Sequence, residues 1–140
     1  MGEVWFRNVS APIVGTVLGA AIFFLGGLAS TRLYPPPPEL LDPQTPEANA
    51  LRVASADTNG LLIVLVGCVI GGFLGGAIAA SVAKTRKALF SCIVGILLSS
   101  WAVYAFYVFY PQRLWFPIGV LVGFAVSSFL GGLSNSRLRK

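Results

Sequence analysis

The sequence of 140 residues contains no histidine, one methionine and two cysteines. Haem, b-type and most chlorophyll ligation, general-base catalysis and most zinc sites draw on histidine, so its absence argues against each of them. Cys68 and Cys92 lie inside apolar segments at a spacing that suits neither a disulfide framework nor a CxxC metal pair, and we interpret both as packing residues. We therefore assign no catalytic residue and no metal ligand, and we expect that the protein is not an enzyme.

Charge is scarce as well, because 11% of the residues are charged and 56% are hydrophobic, far from the composition of soluble domains. The formal net charge of +5 could indicate a nucleic-acid partner. The Lys and Arg residues lie at the ends of apolar runs, where they orient a membrane protein. We expect lipids and other membrane protein subunits as partners, and no nucleic acid.

Four apolar runs are long enough to cross a hydrocarbon core, which takes about 20 helical residues. They cover residues 11–33, 60–83, 88–110 and 115–133. Lipid offers the backbone no hydrogen-bond partner, and the runs lack the two-residue alternation of a barrel, so they predict helices. The expected fold is all-α: a single integral membrane domain made of a bundle of four transmembrane helices, with an outer loop at 34–59.

Local signals mark the expected ends of these helices. They are a Ser10 cap followed by Pro12 in the first turn, a Thr58 or Asn59 cap, Pro111 after the third helix and Pro117 at the start of the fourth. The first run, with Arg7 before it and small residues near its end, also fits a cleavable secretory signal. We expect it to stay as a signal anchor and first transmembrane helix.

Basic residues are divided unevenly between the two sides of the membrane. With a cytoplasmic N terminus, seven lie on that side (Arg7, Lys84, Arg86, Lys87, Arg137, Arg139 and Lys140) and three on the other (Arg32, Arg52 and Arg113). The turn at 84–87 weighs most, because a short basic loop is costly to translocate. We expect a protein of the bacterial cytoplasmic (inner) membrane with both termini cytoplasmic and loop 34–59 in the periplasm.

Small residues recur every fourth position on each helix, as they do where membrane helices pack closely. The second helix carries two adjacent rows, Gly67, Gly71, Gly75, Ala79 and Ala83 beside Cys68, Gly72, Gly76 and Ala80. Matching rows are Gly119, Gly123, Ser127, Gly131 and Asn135 on the fourth helix, Ala11, Gly15 and Gly19 on the first, and Ser91, Gly95 and Ser99 on the third. These rows hold the bundle together or, since the second helix has two, also dock a partner subunit.

The outer loop begins with an extended polyproline run at residues 35–38. Thr45 as a cap, with Pro46 and Glu47 after it, predicts a short extramembrane helix through about Ala56. Four of the five acidic residues lie in this loop. Their scattered spacing differs from that of a calcium loop, so we interpret them as solvated carboxylates rather than a cation site.

Aromatic residues are dense at the outer end of the third helix and in the connection after it. Most fit the aromatic belt at a membrane–water interface. Trp101 and Tyr104 lie deeper than a belt requires. Together with Tyr107 and Trp115 they form a candidate contact surface for lipid, a carotenoid, a quinone or a neighbouring protein, the only bound molecules that we expect.

Four features of the sequence resemble a family of small uncharacterised bacterial four-helix membrane proteins with a proline-rich first outer loop. They are Leu33-Tyr34 before the prolines 35–38, the stretch from Asp42-Pro43 to Glu47, the run from Gly71-Gly72 to Ala80, and the connection from Pro111 to Trp115-Phe116. Members more often have an aliphatic third helix and a histidine near the last connection, where this chain has Gln112. The resemblance implies the four-helix architecture, and the family has no known activity.

Three functions compete. The leading hypothesis is a non-catalytic accessory or scaffold subunit that packs through its small-residue faces against a larger membrane complex. A second is a homo-oligomeric transporter or channel with a path lined by serines, although the helix interiors hold no ionisable residue. Small multidrug exporters need a membrane-embedded glutamate in the first helix, and this one offers only Thr16 as a polar group. A third is a lipid-, quinone- or pigment-contacting module that uses the aromatic end.

Overall fold

The computed structural model describes residues 2–40, 45, 47–48, 51, 54–109 and 114–137, with the backbone alone at 40, 105–109 and 136–137. Within these residues the chain is all-helical, as predicted. Its helices are α1 (Gly2–Leu33), α2 (Thr58–Val82), α3 (Lys87–Phe109) and α4 (Trp115–Arg137), with a short 3-10 helix at Pro38–Leu40 after α1. All four α-helices are long and apolar enough to cross a membrane, which confirms the four predicted runs.

The first helix begins at Gly2 rather than at residue 11, so the predicted Ser10 cap is wrong. Pro12 lies inside α1, and the Ser10 hydroxyl donates to the Arg7 carbonyl at 3.2 Å. A proline has no N–H, which leaves the carbonyl of Asn8 without its usual bond inside the helix. The helix nevertheless continues past this point, because the turn before Pro12 is held by the α2–α3 connection.

This connection is held by two side chains of α1, Arg7 and Asn8, which we call the N-terminal clamp. The Arg7 Nε donates to the Val82 carbonyl at 3.1 Å, at the end of α2, where a cation also faces the negative end of the helix dipole. Asn8 accepts from the Lys84 N–H at 3.1 Å and donates from its amide to the Thr85 hydroxyl at 2.9 Å. The clamp therefore fixes one end of α1 against the turn that joins α2 and α3.

Other boundaries differ from the prediction by smaller amounts. Asp57, rather than Thr58 or Asn59, caps α2, and its carboxylate accepts from the Asn59 N–H at 2.7 Å. A carboxylate in this position also faces the positive end of the helix dipole. The fourth helix continues to Arg137 instead of residue 133 and has Pro117 in its first turn.

Two predicted features lie largely outside the described residues: Pro111 as the end of the third helix, and the short helix at 45–56. In the described part of that loop, the Ala48 N–H donates to the Thr45 hydroxyl at 3.2 Å. This bond is the one expected of a Thr45 cap.

The second helix is central and packs against the other three, most extensively against α1 and α4. The largest fully buried side chains lie on α2, α3 and α4 and include Phe124, Leu98, Val94, Val120 and Cys68, of which Leu98 and Val94 also face α1. Bulky apolar side chains elsewhere face outward, as do Val17, Phe24, Ile96 and Ile118, which are all largely exposed. The bundle thus has a tightly packed interior rich in small residues and a bulky apolar exterior, whereas soluble proteins rarely expose large contiguous apolar patches.

Candidate functional site

The interface of α1 with α2 is made by glycines that bring the two backbones into contact. The pairs run antiparallel: Gly15 with Gly75, Gly19 with Gly71 and Gly26 with Gly67. A Cβ on Gly71 would lie 2.6 Å from the Gly19 carbonyl oxygen, and one on Gly75 would lie 2.6 Å from the Gly15 carbonyl oxygen. Only glycine allows this approach, which lets the backbones gain dispersion contacts. Ala79, fully buried, continues the row beside Gly15.

The interface of α2 with α4 uses the second row of α2. A Cβ on Gly76 would overlap the Ser128 carbonyl, and one on Gly72 would overlap the Ser127 hydroxyl. The α4 row faces this surface along its length, with Gly119 beside Leu65, Gly123 beside Cys68, Ser127 beside Gly72 and Gly131 beside Phe73. The rows run parallel, because positions increase together along both helices.

Serine hydroxyls join neighbouring helices at several levels of the bundle. Ser128 donates to the Gly72 carbonyl at 3.2 Å, and Ser91 donates to the Gly76 carbonyl at 2.8 Å. Ser99 donates to the Leu121 carbonyl at 3.3 Å. These hydroxyls are engaged with backbone carbonyls of neighbouring helices, so the bonds favour a packing role over the lining of a solute path.

The two rows on α2 therefore have different neighbours inside one bundle. The row of Gly67, Gly71, Gly75 and Ala79 contacts α1, and the row of Cys68, Gly72, Gly76 and Ala80 lies towards α4. The double row does not by itself leave a face for another subunit. Any surface for a partner has to be sought elsewhere on the bundle.

Small residues remain exposed in a groove between α3 and α4. The groove has a volume of about 770 Å3, and its lining residues are Cys92, Ile96, Ser99, Ser100, Val103, Tyr104, Leu121 and Ala125. Ser100 and Ala125 are exposed. The lining is almost entirely apolar apart from the hydroxyls of the serines and Tyr104. Its volume lies within the range of sites that hold small apolar ligands, about 300–1,000 Å3, and its length along α3 suits a side-chain ridge of another helix.

Of the predicted aromatic contact residues, Tyr104 lines one end of this groove. Tyr104 is 68% exposed and Trp101 is 47% exposed. Trp101 also packs edge-on against Phe23 of α1, with ring centroids 5.7 Å apart. Trp115, at the start of α4, stacks edge-on with Phe116 at 5.8 Å. The side chain of Tyr107 lies outside the described residues, so its predicted contact stays a prediction.

The two cysteines are packing residues, and Asp57 caps a helix. The Cys68 thiol is buried and donates to the Val120 carbonyl at 3.4 Å, while Cys92 is half-buried at the groove. Asp57 is the α2 cap. In the part of the chain that the structure describes, no group of three His, Cys, Asp or Glu side chains comes together to hold a metal ion.

The groove and the two glycine interfaces are thus the features from which a function has to be inferred. The four-residue spacing of small residues is visible along one helix in the sequence, and the structure has Gly71 and Gly75 of such a row at the α1–α2 contact. The groove could not be predicted from the sequence. Its lining combines residues of α3 and α4, and its shape depends on how far these two helices lie apart. No family model, curated protein or solved structure matches the chain.

Proposed function

We propose that the protein is a multi-pass protein of the bacterial cytoplasmic membrane in which all four helices span the bilayer. The bulky apolar exterior supports this, since full burial of each such side chain contributes about 1.5–3 kcal/mol that water exposure forfeits. The charges support an orientation with both termini cytoplasmic: Arg7 and Lys84 lie at one end of the bundle and Asp57 at the other. Reporter fusions at the Lys84 turn and after Arg137 are expected on the same side of the membrane, and opposite sides would contradict the topology.

Within that membrane we propose that the protein acts as a non-catalytic accessory or scaffold subunit of a larger complex. The groove between α3 and α4 carries this proposal. It presents exposed small residues, Ser100 and Ala125, between bulkier walls formed by Ile96, Val103 and Leu121. Small residues between larger ones let a helix of another subunit approach closely, and Tyr104 at the rim is of a type enriched at the centre of interfaces.

The test is native purification in a mild detergent, followed by mass spectrometry of the intact complex. The wild-type chain is expected to carry at least one other membrane subunit. Ala125→Leu and Ser100→Leu fill the groove and should release that subunit. Val126→Leu adds the same side chain to an exposed position of α4 outside the groove and should leave the complex intact.

The outcomes separate the competing functions. A wild-type monomer without a co-purified subunit would overturn the accessory role. A homo-oligomer would favour the transporter or channel hypothesis, which flux of ions or small solutes into liposomes containing pure protein would then check.

A lipid-, quinone- or pigment-binding module is the second candidate function, and the hydroxyl-bearing end of the groove favours it. Ser100 and Tyr104 place hydroxyl groups towards one end of the apolar groove, where an amphipathic ligand needs polar partners. Organic extraction of the purified protein should then yield a quinone or carotenoid at about one per chain, with the matching absorbance. Ala125→Leu should abolish its retention, and an extract containing only bulk membrane lipids would contradict this function.

A further inference from the structure

The end of the bundle that carries the α2–α3 turn is strongly basic. Among the side chains that the structure describes here, the exposed or half-buried charged ones are Arg7, Lys84, Arg86, Lys87 and one carboxylate, Glu3. Glu3 and Lys84 form an ion pair at 3.5 Å on the surface. Within the described residues, neither the Arg86 guanidinium nor the Lys87 ammonium pairs with a carboxylate. Among the described side chains, positive charge thus exceeds negative charge at this end.

Two large aromatic side chains project from the same end of the bundle. Trp5 is 69% exposed and Phe6 is 67% exposed, and both belong to the first turns of α1. At 1.5 Å per residue the 32-residue helix is about 48 Å long, whereas a hydrocarbon core is about 30 Å thick. These turns therefore have the length to reach the headgroup region, where aromatic rings are enriched.

We propose that this surface binds the headgroups of anionic phospholipids. Its partner is a lipid surface rather than a soluble anion, because the basic side chains stand beside exposed aromatic rings at the end of an apolar helix. The N-terminal clamp contributes rigidity: Asn8 holds the backbone of Lys84 and Thr85, so the basic turn has a fixed position relative to Trp5 and Phe6. The proposal rests on the membrane-spanning topology proposed above and does not depend on the accessory role.

The test uses the full chain reconstituted in phosphatidylcholine vesicles that contain spin-labelled phosphatidylglycerol or spin-labelled phosphatidylcholine. The fraction of immobilised label gives the relative affinity for the two lipids. Each Lys or Arg near an anionic surface is worth about a fivefold change in affinity. The wild-type chain is expected to prefer phosphatidylglycerol, and added salt should weaken that preference.

Charge variants give the direction of the effect. Arg86→Gln and Lys87→Gln should each lower the preference about fivefold. Glu3→Gln should raise it, since removal of the carboxylate frees Lys84. This gain cannot come from misfolding. Arg32→Gln removes an exposed basic residue at the opposite end of α1, outside the basic cluster, and is the matched control, which should lower the preference less than Arg86→Gln does.

Two results would overturn the proposal: equal immobilisation of the two labels by the wild-type chain, or a loss with Arg32→Gln as large as that with Arg86→Gln. Failure of the topology is distinguishable, because a chain that does not span the bilayer would not float with the vesicles after an alkaline wash. A chain that floats and shows no lipid preference contradicts this inference alone.

Discussion

The α1–α2 interface and the α3–α4 groove present the same kinds of small residue and differ in what meets them. At the interface, Gly71 and Gly75 touch the backbone of α1. In the groove, Ser100 and Ala125 are exposed, and the two helices leave about 770 Å3 between bulkier side chains. A small residue in an apolar helix thus permits a neighbour to approach closely. Whether a neighbour of the same chain is there depends on the arrangement of all four helices.

The largest expected effect comes from a bulky side chain in the α1–α2 interface. Gly71→Leu would place its Cβ 2.6 Å from the Gly19 carbonyl oxygen, and backbone cannot move aside as a side chain can. We expect a loss of roughly 3 kcal/mol or more in the free energy of unfolding. The yield of folded protein after extraction in mild detergent and the melting temperature should both fall.

Gly27→Leu is the matched control for this substitution. A Cβ at Gly27 would meet nothing within 4 Å, although Gly26 beside it lies in the interface. The variant should remain within about 0.5 kcal/mol of the wild type. Equal losses in the free energy of unfolding for Gly71→Leu and Gly27→Leu would contradict the importance of the close backbone contact at Gly71.

A smaller effect is expected from a single methyl group between α2 and α4. Gly76→Ala would overlap the Ser128 carbonyl and should cost about 1–3 kcal/mol, measured as a lower melting temperature. Gly119→Ala instead meets the flexible end of Leu65 at 3.3 Å, and alanine favours a helix over glycine by up to about 1 kcal/mol. Gly119→Ala should therefore be neutral or stabilising. Equal melting temperatures for the two variants would contradict a close backbone contact between Gly76 and Ser128.

A third prediction concerns one hydrogen bond between helices. Ser128→Ala removes the hydroxyl that donates to the Gly72 carbonyl and should cost about 0.6 kcal/mol, near the mean for such bonds in membrane proteins. Ser134 donates within its own helix, to the Gly131 carbonyl at 2.8 Å, and Ser134→Ala should cost less. Thermal melting of the two variants side by side measures the difference, and a larger loss for Ser134→Ala would contradict it.

The smallest effect on stability is expected in the groove. Ala125→Leu adds bulk where the chain leaves space, so the free energy of unfolding of the purified monomer should match that of the wild type to within about 0.5 kcal/mol. The same variant is expected to lose the co-purified subunit. A drop of 2 kcal/mol or more would mean that the groove belongs to the packed interior of the bundle.

Much of the fold could be predicted from the sequence because its signals are local. Apolar runs and the position of Pro117 are visible along one segment at a time, and the four-residue recurrence of small residues marks one face of a helix. The assignment of each row was not available in this way. Gly71 and Gly72 are equally small, and nothing near them states that one faces α1 and the other faces α4.

The start of α1 was predicted wrongly for a related reason. Ser10 and Pro12 form a typical helix start when they are considered alone. The helix extends beyond them because Arg7 and Asn8 bond to residues 75 and 76–77 positions further along the chain. The start of α2 was ambiguous for a local reason. Three adjacent residues, Asp57, Thr58 and Asn59, are all good helix caps, and their side-chain chemistry does not rank them.

The N-terminal clamp has a consequence for how the protein is made. Asn8 and Thr85 are separated by 77 positions, and synthesis proceeds at about 5–20 residues per second. The partners of the N-terminal clamp are therefore synthesised roughly 4–15 s after the clamp itself. In the proposed membrane topology, α1 lacks these hydrogen bonds during that interval and gains them only when the α2–α3 turn reaches the same side of the bilayer. A turn on the opposite side would leave Arg7 and Asn8 without these hydrogen-bond partners, so the N-terminal clamp also stabilises the correct topology.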